Sequence, residues 1–197
     1  MGGLAGFLGA ALAHALTTLA DRAGCGGWLR GPFGPQFFCV ALYTGVFYAG
    51  IGAAAARRAQ GAGIAFAGAF LGLAAPLFVL TRYGGWGMPT GALPTPQWTR
   101  AFVVVYVLAV WGTIAALGAL STRTNPRRGL VAAVLGSLAG YAVLAGVLRL
   151  FPALLNAPWS PASYVPAPVN LLDGLLSGAG LCLALTLDAR LDARRTS

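Results

Sequence analysis

Two short polar stripes are the residues of this chain whose types and spacing could support chemistry. The first is His14, Thr18 and Asp21, set four and three residues apart, so one helical face carries all three. A histidine titrating near neutral pH, followed by a hydroxyl and a carboxylate, makes a proton or ligand path. The same histidine serves equally well as a neutral hydrogen-bonding residue between helices. The second stripe is Asn170, Asp173 and Ser177, at spacings of three and four. Asp173 is the acid that falls well inside an apolar run. Three explanations compete for it: the positive end of the sixth helix, in whose first turn it is expected to sit; an ion pair with Arg22, Arg82 or Arg149; or a ligand or ion.

Tyr43, Thr44 and Tyr48, then Tyr106, Trp111 and Thr113, add polar and aromatic positions to two further apolar runs. They read as core packing or interface anchors, or as a rim around an organic ligand. The candidate ligand or ion path is therefore His14, Thr18, Asp21, Tyr48, Tyr106, Asn170, Asp173 and Ser177.

Other chemistries lack their residues. One histidine cannot supply bis-histidine haem ligation, and a chain without lysine forms no lysine Schiff base. No GxSxG, HExxH, Walker-type glycine loop or paired metal-binding carboxylates occur. Cys25, Cys39 and Cys182 show no metal-site spacing; Cys25 and Cys39 could be bridged, or could be small apolar fillers. No catalytic residue, metal or cofactor is expected, and enzymatic activity has no specific support.

The elements that must carry these stripes follow from composition. The 197 residues are 58% hydrophobic and 9% charged, with mean hydropathy +0.76. A water-facing surface needs about 25% charged residues, so the solvent is lipid. Six apolar runs stand out, at about 2–20, 36–56, 63–81, 100–121, 129–150 and 169–188. Each is long enough to span, and each must be helical because hydrocarbon offers no partner to a free backbone group. The expectation is an all-α polytopic membrane protein: six transmembrane helices in one domain over 1–197. The first run lacks a preceding basic residue and carries His14, Thr17 and Thr18, so it is read as a retained helix rather than a signal peptide.

All thirteen basic residues are arginine, read as the coding bias of a bacterium. They sit singly or in pairs between apolar runs, which argues against nucleic-acid binding. Arg57, Arg58, Arg123, Arg127, Arg128, Arg190, Arg194 and Arg195 fall on one side; Arg22, Arg30, Arg82, Arg100 and Arg149 on the other. The positive-inside rule places the larger group, and both termini, in the cytoplasm of a bacterial inner membrane. Trp28, Trp86, Trp98 and Trp159 fall in or beside the outer loops, at headgroup level.

Those outer loops resemble one another. Arg22 to Trp28 with Pro35-Gln36, and Arg82 to Trp86 with Pro96-Gln97, share an order that Arg149, Trp159 and Pro168 follow loosely. Inner arginines recur at 57, 123 and 190, spaced 66 and 67 apart. Small pairs recur at Gly9/Ala13, Gly68/Gly72 and Gly136/Gly140, and Gly174/Gly178 adds another. Such spacing lets helix backbones approach closely. Three tandem hairpins are expected, 1–58, 62–123 and 129–190, with Pro76 loosening the third helix. Segments 82–100 and 152–168 are either lids or headgroup-level loops.

Three functions fit. The first is a small transporter, channel or solute-binding membrane subunit with an outward-facing polar cavity. The second is a non-catalytic subunit packed against partner membrane proteins. The third is an intramembrane enzyme. The lipid bilayer is the one partner that composition itself implies.

Overall fold

In the computed structural model, residues 1–24, 34–56, 59–83, 96–122, 125–157 and 167–196 are described. They form six α-helices: α1 (Gly2–Arg22), α2 (Gly34–Ala56), α3 (Ala59–Tyr83), α4 (Pro96–Ser121), α5 (Pro126–Leu150) and α6 (Ala167–Thr196). A short 3-10 turn, Pro152–Asn156, follows α5. Among the described residues there is no strand.

Local chemistry sets several boundaries. α1 is followed by Gly24 at φ +66°, a left-handed conformation that glycine adopts without steric cost. α5 begins after Asn125, whose side chain accepts from the backbone N–H of Arg127 at 3.1 Å and Arg128 at 3.3 Å. Pro126 then occupies the first helical position, where a missing N–H costs nothing. α3 continues through Pro76 to Tyr83, so the proline loosens one bond without ending the helix.

Each helix packs on its sequence neighbours, and α6 returns to α1, closing a ring; α2 also touches α4 and α6. α2 is accordingly the most enclosed helix: from Cys39 to Tyr48 every residue except Leu42 is buried. The interfaces are made of glycine. A methyl group added at Gly52 would sit 2.5 Å from the Gly61 carbonyl and 2.6 Å from Ala65 Cβ. One at Gly118 would meet the Gly129 carbonyl and Ala133, and one at Gly136 the Gly180 carbonyl and Ala184. The ring closes the same way, with Gly174 against the Gly6 carbonyl and Ala10. Gly61, Ala65, Gly68 and Gly72 of α3 recur 68 positions on as Gly129, Ala133, Gly136 and Gly140 of α5. In both helices the first pair faces the preceding helix and the second pair the following one.

Small residues inside leave large ones outside. Leu4, Leu8, Leu12, Leu16 and Leu19 form an exposed stripe on α1, and Leu130, Val131, Leu135, Leu138 and Val143 do so on α5. In water such stripes would be a large unfavourable patch; in hydrocarbon they are the expected exterior. Among the described residues, four helical segments are long and apolar enough to cross a bilayer: Gly2–Ala20, Val103–Ser121, Pro126–Leu150 and Ala167–Arg194. The sequence predicts six. In α2 and α3 the described apolar stretches, Cys39–Ala55 and Gln60–Pro76, are shorter. Those helices are nevertheless 23 and 25 residues long, about 35 and 38 Å at ~1.5 Å per residue. Both stretches end where the described side chains end, so the count of four is made of the described residues alone.

Candidate functional site

The ring brings together residues from α2, α4, α5 and α6. Tyr48 on α2 reaches across to Tyr141 on α5, their hydroxyls 3.3 Å apart. Tyr43 stacks on Phe47 at 6.0 Å, and Phe47 meets Tyr48 edge-on at 5.0 Å. Trp111 of α4 lies 6.0 Å from the Tyr141 ring. Asp173, from the second turn of α6, lies within electrostatic reach of the hydroxyls of Tyr43, Tyr48, Tyr106 and Tyr141. One carboxylate thus shares an apolar bundle with four phenols close enough to feel its charge.

Two atoms of this cluster lack partners. Asp173 Oδ1 and the Tyr43 hydroxyl are both buried without a hydrogen bond. Buried polar atoms are nearly always bonded, so each such atom calls for an explanation. Tyr106 differs from its neighbours. It is 39% exposed, whereas Tyr43 and Tyr48 are 8% and 3%, so it stands at the outer edge of the cluster. Asp173 lies about 9 Å along α6 and Tyr106 about 15 Å along α4, at ~1.5 Å per residue. Both are measured from the end where α1 finishes and α6 begins.

The sequence-based expectations fare unequally. Tyr48, Tyr106 and Asp173 do converge. Thr18 donates to the His14 carbonyl at 2.8 Å, and Ser177 to the Asp173 carbonyl at 2.6 Å, so both hydroxyl protons are spent within their own helices. Thr17 behaves likewise toward Ala13. His14 Nδ1 is buried without a partner, but no described contact joins it to the tyrosines. Asn170 is half-buried at the start of α6. The side chain of Asp21, Cys25, most of both suggested lids, and Trp28, Trp86 and Trp159 lie outside the described residues.

One explanation of Asp173 is corrected and a second narrowed. It is not in the first turn of α6, which holds no acid, so the helix end does not account for it. Among the described residues no ion pair joins it to Arg22 or Arg149; the side chain of Arg82, the third candidate, lies outside them. The described ion pairs lie at the other end of α6, where Arg128 bonds Asp188 at 2.6 Å and Asp192 at 2.8 Å. Tyr141 was not among the expected site residues. Its signal, a phenol in mid-span beside Gly140, is the same one that singled out Tyr48 and Tyr106.

A groove of about 320 Å³ lies elsewhere, between α3 and α4, lined by Ile64, Gly68, Gly72, Leu108, Ala109, Gly112, Thr113 and Ala116. It holds none of the candidate path residues. Here a methyl at Gly68 or Gly72 would stand 3.2 or 3.3 Å from α4, so this interface is looser than the others. Compared with known proteins, the chain matches no family, no curated protein and no solved structure.

Proposed function

We propose that this chain is a small solute-binding or transporting membrane protein whose site is the Asp173–tyrosine cluster. One observation carries the reading: a carboxylate oxygen buried without a partner in a bundle that has glycine and alanine to spare for packing. Burying a charge unpaired is costly, and intramembrane ionisable residues mark ligand or ion sites more often than they stabilise. The setting proposed with it is a bacterial inner membrane crossed six times, with both termini cytoplasmic. The common register of α3 and α5 supports descent of the second and third hairpins from one unit.

Native mass spectrometry of the full chain from mild detergent tests this. The wild type should retain a small molecule at one per chain, and Asp173→Asn should lose it. Identical bare spectra for both proteins would refute the binding role. The looser α3–α4 groove favours a second reading, a subunit packed against a partner membrane helix through small residues. A second polypeptide in the same wild-type spectrum, displaced by Gly112→Leu, is its expected signature.

A further inference from the structure

We infer that the Asp173 site receives a monovalent organic cation, an alkyl- or arylammonium group held between the carboxylate and the surrounding aromatic rings. This rests on the solute-binding reading above and adds the chemical class of the solute.

Charge comes first. The ring places one acid here and no described basic side chain against it; Arg22, Arg100 and Arg149 are exposed, and Arg128 is engaged at the far end of α6. A carboxylate in a low-dielectric interior gains most from a ligand that brings the missing positive charge. An anionic solute would instead be repelled by the one charge the site holds.

Valence and size follow from the lining. Among the described residues no three or more His, Cys, Asp or Glu side chains converge on a common point. A hard divalent ion usually takes six to eight oxygens, several of them from carboxylates, so one acid suits a single positive charge. Nearby lie two ring groups, Tyr43–Phe47–Tyr48 with centroids 6.0 and 5.0 Å apart and Trp111–Tyr141 at 6.0 Å, joined through the Tyr48 and Tyr141 hydroxyls at 3.3 Å. Aromatic faces attract ammonium groups, most strongly when the cation is desolvated. A small alkali ion would leave those faces unused. The Tyr43 hydroxyl, buried and unpartnered, adds an acceptor that can turn toward the charge.

The test uses the full chain in mild detergent with benzyltrimethylammonium chloride. Its controls are neopentylbenzene, the neutral carbon isostere, and sodium chloride at equal ionic strength. Titration calorimetry should show saturable binding of the ammonium alone, weakened at least about tenfold by Asp173→Asn and partly restored by Asp173→Glu. Tyr106→Phe, which removes only the hydroxyl within reach of the Asp173 charge, should weaken it by less than Asp173→Asn does. Equal binding of the neutral isostere, equal binding to Asp173→Asn, or no ammonium binding at all would overturn the assignment. Retention of a neutral or anionic solute that needs Asp173 would overturn it too, yet leave the solute-binding reading standing. Loss of every Asp173-dependent ligand removes both.

Discussion

The two halves of α6 handle acids in opposite ways. Near its C-terminal end, Asp188 and Asp192 sit one turn apart and share Arg128 of α5. Near its start, Asp173 has an oxygen with no partner, although Gly174 and Gly178 bring the α1 backbone against the same stretch. One half is joined to its neighbour by charge, the other by backbone contact. The difference separates two uses of a carboxylate. Where an acid stabilises, the chain supplies its cation; where it does not, the cation must come from outside or the acid must stay neutral.

The largest effect belongs to the contact that fixes where Asp173 stands. Gly174→Ala puts a methyl group onto the Gly6 carbonyl, a backbone atom that cannot step aside alone. We expect a loss of about 2–3 kcal/mol from overpacking, measured as unfolding in a graded denaturing detergent. Gly63→Ala, where an added methyl meets nothing within 4 Å, is the matched control. It should be neutral, or favourable by up to about 1 kcal/mol. Equal effects at the two positions would show that the start of α6 is not held by close approach.

Next comes the charged half. Arg128→Ala removes two charge-assisted hydrogen bonds and leaves Asp188 and Asp192 as like charges four residues apart, which repel. All three side chains are partly solvated, at 30%, 17% and 28% exposure, so screening limits the cost to about 1–2 kcal/mol. Added salt should narrow the gap between Arg128→Ala and wild type. A gap that salt leaves untouched would mean that Arg128 acts through packing of its stem rather than its charge.

How much of this was legible beforehand differs between fold and site. The helices were readable because lipid allows the backbone so few alternatives, and the Gly68/Gly72 and Gly136/Gly140 pairs do lie at interfaces. All six apolar runs do fall on helices, and four of them are long enough to span within the described residues alone. Asp173, Tyr48 and Tyr106 were legible as polar groups in apolar runs. The fate of Thr18 and Ser177 was not: a hydroxyl on a helix can reach a carbonyl three or four residues back, and spacing does not distinguish that bond from an open one. Nor could spacing bring Tyr141 to Tyr48, because that pair is 93 residues apart and meets only when the ring forms.

The smallest effect is the most discriminating. Asp173→Asn keeps the shape of the side chain and removes its charge. If the carboxylate is unpartnered in the resting protein, nothing stabilising is lost and the cost of desolvating a charge is relieved. The variant should therefore be as stable as wild type, or more stable by up to about 1 kcal/mol. Asp188→Asn, the same substitution one helix-half away, breaks a 2.6 Å ion pair and should lose about 1 kcal/mol. The two variants are compared in one detergent, without added ligand, by thermal unfolding. Opposite signs would place Asp173 among residues kept at a cost to stability, as a binding group is. Matching losses would mean that Asp173 has a structural partner after all, and the contrast between the halves of α6 would dissolve.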